Sequence, residues 1–223
     1  MRIPDYPQKA WPVGADLLLG VDTSDHSGSP QGTTKAMPVS GLADYYATQQ
    51  PYSGETCIPR LNVGSALAMV SGRVNLTFWT AGKTEQVTTI ATTSGATAAG
   101  ATPTYCAMGV YLMTGDGTPA GSSLALQGAC ANDTSLWAAT FVEYDRSLVA
   151  PFTKVRGLRY AFATMIVSSF ALPQLFGYNG TIAFGAKPPV LSGQISGQSV
   201  LPSTIAAGAW GTTSQMHLGL ITP

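Results

Sequence analysis

Between residues 74 and 79 apolar and polar positions alternate: Val74, Leu76 and Phe78 interleave with Asn75, Thr77 and Trp79. A period of two predicts a half-buried β-strand. Residues 87–90, VTTI, give a weaker one. Cys106, Met108, Val110 and Leu112 alternate with Ala107, Gly109, Tyr111 and Met113. The GDG at 115–117 then predicts a hairpin, with Leu124 and Leu126 on the return strand. Residues 141–148 predict a further strand, followed by Pro151. Residues 158–169 predict a long one, with Tyr160, Phe162, Thr164 and Ile166 on one face and Arg159, Ala161, Ala163 and Met165 on the other. Residues 210–221 close the chain. The Gly/Ser/Pro-rich stretch 187–208 reads as a long crossing loop. About eight strands and no helical period over residues 52–223 predict an antiparallel β-sandwich or jelly roll there.

Upstream the pattern differs. Pro4, Pro7 and Pro12 forbid a helix over residues 1–14 and predict an extended arm. DLLLGVD at 16–22 predicts a short apolar strand, and 35–39 a second extended piece after a turn-rich loop. Ser40 caps a predicted helix near 41–49, whose Leu42, Tyr45 and Tyr46 form one apolar stripe. Asp44 suits the positive end of its dipole, and Pro51 stops it. Residues 1–50 hold too little apolar surface for a core of their own. The expectation is an arm that buries Trp11, Leu17, Leu18 and Leu19 on a partner and packs the helix stripe on the β domain or its copies.

Composition narrows the function classes. Only 10% of the 223 residues are charged and the formal net charge is zero. That argues against nucleic acid, which needs a basic face, and against a polybasic membrane anchor. No run approaches a membrane span. The first 14 residues lack the apolar core of a secretory leader, and the three cysteines, Cys57, Cys106 and Cys130, are odd in number and far apart. The expectation is buried free thiols and cytoplasmic synthesis, with no metal and no cofactor. The three N-x-T sequons, at Asn75, Asn132 and Asn179, then read as ordinary strand and turn sequence.

Catalytic candidates are sparse. His26 lies in a loop with Asp22 and Asp25, which reads first as turn chemistry. His217 reads as packed or interface-facing. Glu143 and Asp145 share one strand face, whereas glycosidase carboxylates come from separate elements. Trp79, Tyr111, Trp137 and Trp210 are open to three readings: a sugar-stacking platform, interface anchors or core.

Several long runs carry a family likeness. LTFWTA (76–81), GATAAGATPTYCAMGVYLMTGDG (95–117), ANDTSLWAA (131–139), APFTKVRGLRYAFATMIV (150–167) and SGQISGQSVLPSTIAAGAW (192–210) resemble the β domain of minor tail proteins of actinobacterial phages. DLLLGVDTSD (16–25) and GTTKAMPVSGLADYY (32–46) resemble the N-terminal attachment segments of phage tail-fibre and tail-tip proteins. The resemblance implies a non-enzymatic virion protein, a symmetric homo-oligomer and most often a trimer, assembled in the bacterial cytoplasm. Its partners would be other virion proteins, with a host cell-envelope glycan as the target of a displayed jelly-roll-like domain. The chain is short for a tail protein and has no repetitive shaft, so head decoration is the alternative within the class. A carbohydrate-binding module is the alternative outside it, and a glycan hydrolase using Glu143 or Asp145 the weakest rival.

Overall fold

The computed structural model describes residues 17–22, 33–38, 54–100, 103–180 and 189–223, the first two segments by their backbone. The chain divides into two compact units, Met1–Pro51 and Tyr52–Pro223. In the first, strands β1 (Leu17–Asp22) and β2 (Thr33–Pro38) pair antiparallel, with Leu17 opposite Pro38 and Asp22 opposite Thr33. Leu17, Leu18 and Leu19 thus begin β1. The arm with Trp11, the loop with His26 and the predicted helix with Leu42, Tyr45 and Tyr46 lie outside the described residues.

The second unit is built from β3 (Glu55–Thr56), a 3-10 turn at Arg60–Asn62, β4 (Ser65–Ala68), β5 (Arg73–Thr80), β6 (Glu85–Thr93) and β7 (Tyr105–Gly115). It continues with β8 (Ser122–Ala129), β9 (Glu143–Lys154), β10 (Arg159–Val167), β11 (Gln174–Asn179) and β12 (Ser192–Ile195). It ends with β13 (Thr204–Ile205), β14 (Gly211–Thr212), β15 (Gln215–His217) and β16 (Leu220–Thr222). Every strand pairing is antiparallel. A seven-stranded sheet runs β13-β8-β7-β10-β5-β12-β14; a four-stranded sheet runs β3-β16-β6-β9; a three-stranded sheet runs β15-β11-β4. A bridge between Ser94 and Leu175 joins the two smaller sheets, and one between Cys130 and Leu148 ties the large sheet to the four-stranded one. The fold is mainly β, an antiparallel β-sandwich, as the alternating pattern predicts.

Register explains the core. Thr77, Phe162, Val110 and Ser192 form one cross-strand row, and Phe78, Ala161 and Tyr111 form a row on the opposite face. On the first face the ring of Phe162 lies over Gly219, where a Cβ would come within 2.4 Å of it. Thr164 meets His217 on the same side, and Tyr160 meets Phe152. This face therefore packs on the smaller sheets.

The second face is covered by the chain itself. After β12 the chain crosses to β13 at the far edge of the sheet, then returns to β14 beside β12. Eight residues, 196–203, make the outward crossing, which spans about five strand spacings or roughly 24 Å. Extended residues at about 3.3 Å each suffice for it. Tyr105 Oη accepts from Leu201 N at 3.2 Å, and Tyr111 Oη donates to Pro202 O at 2.7 Å. Trp210 rests on Phe78, with ring centroids 5.2 Å apart, and its indole donates to Ser122 O at 3.0 Å. One side chain touching both β5 and the start of β8 requires the sheet to curl into a half-barrel around it. Gly193 makes room for that ring, since a Cβ there would meet it at 2.7 Å.

Three expectations change. The β5 segment 74–79 is buried on both faces, because the side expected to face solvent, with Asn75, Thr77 and Trp79, packs on the smaller sheets while the chain at Trp210 covers Phe78. The strand expected from residue 141 starts at Glu143; Phe141 and Val142 stay outside it, exposed. That strand also runs on through Pro151. There the register with β6 jumps from Ser147–Thr89 to Phe152–Val87, so Pro151 sits in a bulge where no ladder N–H is required.

Candidate interaction surface

The chemically versatile side chains are absorbed into the interior. Cys57, Cys106 and Cys130 are free and buried. Burial pushes the Cys57 and Cys106 thiols up to about 12, so neither is a nucleophile at neutral pH. The Cys57 Sγ donates to His217 O and accepts from Gly219 N, holding the end of β15 in place. His217 is itself buried, with Nδ1 2.7 Å from Thr164 Oγ1. Burial pulls its pKa down to about 4, so the ring is neutral. A hydroxyl beside an imidazole resembles a nucleophile and its base, but this pair lies between the sheets, out of reach of a substrate.

Lys154 is fully buried between Glu55 Oε2 at 3.0 Å and Glu85 Oε1 at 2.7 Å, the latter a charge contact without hydrogen-bond alignment. Its ammonium also donates to Lys83 O at 3.1 Å. Glu55 in turn accepts from Gly82 N at 2.6 Å and from the Trp79 indole at 3.2 Å. One ammonium serving two carboxylates and a carbonyl is a clamp that joins β3, the β5–β6 turn and the end of β9. Among the described residues no group of three His, Cys, Asp or Glu side chains is arranged to hold a metal.

The four aromatics singled out by sequence are core. Trp79 stacks on Tyr160 at 5.6 Å, Tyr111 anchors the crossing segment, Trp210 fills the curl of the sheet, and Trp137 is fully buried. None presents a ring face to solvent, so none forms a sugar platform or an interface anchor. Alternation sets Trp79 and Tyr111 on the polar side of their strands and leaves core among the open readings; the crossing segment covers the face that holds Tyr111, and the smaller sheets the face that holds Trp79. Asn75 is buried as well, which removes that sequon as an acceptor.

Exposed aromatics lie elsewhere: Phe170 after β10, and Phe141, which stands beside a groove, on the connection 131–142 between β8 and β9. This loop is tightly held. Asn132 accepts from Cys106 N at 2.9 Å and donates to Thr104 O. Asp133 accepts from the backbone and hydroxyl of Ser135 and pairs with Arg146 at 2.7 Å. These bonds, the Ser135 hydroxyl first, hold its carboxyl below the usual carboxylate range. Leu136 and Trp137 plug the loop into the core, and Ala99 N donates to Trp137 O at 2.7 Å. Ala139 N donates to Tyr144 Oη at 2.7 Å. Ser94 and Val142 exchange backbone and hydroxyl bonds at 2.9–3.1 Å.

So held, the loop places Trp137 at φ 62° and Phe141 at φ 56°. For bulky residues each left-handed conformation costs on the order of 1–2 kcal/mol. Trp137 has an evident return in burial. Phe141 does not: it is 65% exposed, its ring 5.9 Å from that of Phe176. Beside it lies an open groove of about 340 Å³, lined by Arg60, Val63, Thr93, Glu143, Phe176 and Leu218. Leu61, on the 3-10 turn next to Arg60, is 100% exposed.

Glu143 and Asp145 do share the outer face of β9, but only Glu143 reaches the groove. The sequence reading missed Phe141, Leu61 and Phe176. The available signal was the N-D-T-S run at 132–135, where an Asp that can accept from a Ser two residues on makes a rigid turn. No family model matches the chain, and no curated protein matches it.

Proposed function

We propose that this chain is a non-enzymatic structural protein of a tailed-phage virion, a minor tail protein that attaches through residues 1–50 and displays the β-sandwich for host-surface recognition. The observation that carries the reading is the unequal division of the chain. The described part of the first unit is a single two-stranded hairpin. A two-stranded hairpin by itself is marginal in water, which suits a segment that attaches to a partner. The second unit is closed on both sheet faces from its own residues and asks for no such help. A segment that needs a partner beside a domain that does not is the division of labour of a virion attachment protein.

The likeness to phage minor tail proteins adds to this. Its runs fall on β5, the β7 hairpin, the rigid 131–142 loop, the end of β9 with β10, and β12 with the crossing segment. They therefore include three central strands of the large sheet, β5, β7 and β10. The carbohydrate-module alternative loses its four aromatics to the core and is not the preferred reading. Deleting residues 1–50 tests attachment: the shortened protein is expected to fold with a cooperative thermal transition and to be missing from purified particles. Incorporation at the full-length level would sink the reading. The location of tagged protein in intact particles separates tail from head.

A further inference from the structure

We propose that the groove beside Phe141 is a self-association surface whose occupant is Leu61 of a second copy of this chain, in a two-fold contact. The proposal rests on the homo-oligomer that the family likeness implies, departs from the three-fold symmetry most common there, and names the surface that makes the oligomer.

Four observations point to it. Leu61 is the fully exposed tip of a 3-10 turn, none of whose residues is buried. A leucine with no intramolecular cover is unremarkable alone, but this one stands between two residues of the groove wall, Arg60 and Val63. A projection and a recess on one surface are what an isologous contact needs, because each copy then both inserts and receives. Second, the groove floor is carbon: Val63, Phe176 and Leu218, extended outward by the exposed Phe141 and Val142. Thr93 contributes the only hydroxyl among the lining residues. A sugar there would leave ring hydroxyls dehydrated and unpaired, whereas a leucine side chain brings none.

Third, the rim carries one charge of each sign, Arg60 and Glu143. Turned by a two-fold axis, each Arg60 faces the Glu143 of the other copy. A guanidinium has five donors in a fork that fits a carboxylate, so this contact adds to whatever else the fork binds. Such pairing fixes register and repels wrong partners. Fourth, Phe141 is held outward by a strained backbone in a loop that is hydrogen-bonded along its length. Strain maintained this way pre-organises a contact, sparing the ordering cost at association.

The test uses the full-length chain, in sedimentation or light scattering over a wide range of concentration. An even-numbered oligomer is expected, and Leu61→Asp is expected to dissociate it while leaving circular dichroism unchanged, and melting unchanged at concentrations low enough that both proteins are monomeric, because the side chain is fully exposed within its own fold. Arg60→Glu and Glu143→Arg are each expected to weaken association by about tenfold or more, and the double reversal to recover most of the loss. A monomer, a trimer, an oligomer indifferent to Leu61→Asp, or a double reversal without recovery would overturn the proposal. None of those outcomes touches the attachment reading, which the deletion of residues 1–50 decides separately.

Discussion

Residues 196–210, which cross the large sheet and return, and the connection 131–142 are both largely irregular, yet they end in opposite environments. The first is rich in Gly, Ser and Pro and reads as a surface loop. It fills the curled face of the seven-stranded sheet with Leu201, Ile205 and Trp210, all nearly inaccessible. The second carries the apolar run L-W-A-A-T-F-V and reads as the approach to a core strand. It buries Leu136 and Trp137 but turns Phe141 and Val142 to solvent. Burial is decided by where the chain must travel to reach its next pairing partner, and composition over six or ten residues does not record that path.

The largest effect that would break this contrast is expected at Trp210. Trp210→Ala empties the curl above Phe78 and Gly193 and strands the Ser122 carbonyl. A loss of about 3–5 kcal/mol is expected in urea unfolding. If the segment were a surface loop in solution, the variant would lose less than about 1 kcal/mol.

The opposite face of the sheet gives the next effect, through pH. The neutral, buried His217 has its pKa depressed from 6.5 to about 4. As pH falls below 6.5 the unfolded chain takes up the proton and the folded chain does not. Stability is therefore full above 6.5 and declines by about 1.4 kcal/mol per unit on the acid side until pH nears the folded value. Between neutrality and about pH 5, mostly above the carboxylate range, the decline amounts to about 2 kcal/mol. His217→Asn keeps a polar atom near the Nδ1 position and is expected to flatten this part of the profile. An unchanged slope in the variant would place the titrating group elsewhere.

A smaller change sharpens how the crossing segment is held. Tyr111→Phe removes only the hydroxyl that donates to Pro202 O. About 1–2 kcal/mol should be lost, with faster amide exchange in residues 196–203 and little change in β10. Equal acceleration in both would mean that the segment is not latched locally.

The legible part of the molecule was its period-two strands. In β5, β7 and β10 the local alternation assigns the faces correctly, and the hairpin at 115–117 follows from its glycines. What alternation lacks is the second cover. Tyr111 and Trp79 sit on the predicted faces, but those faces are closed by residues about 90 and 24 positions distant in sequence, Pro202 and Glu55. Pro151 misled for a related reason: its meaning depended on a bulge opposite Thr88, visible only once β6 was paired. Phe141 was hidden by the backbone. A single left-handed residue turns a strand-like F-V-E inside out without altering its pattern.

That last point gives the smallest expected effect and the sharpest comparison. Phe141→Gly removes an aromatic ring, as Trp210→Ala does. At φ 56° glycine carries no steric penalty, so the substitution relieves about 1 kcal/mol of strain. It forfeits the partial contact with Phe176, worth about as much. The two nearly cancel, and folding stability is expected to change by less than about 1 kcal/mol, while association weakens several-fold because the exposed apolar surface beside the groove is lost. A loss of stability comparable to that of Trp210→Ala would mean that Phe141 is core after all. Unchanged stability with unchanged association would leave its strained backbone without a function at this surface.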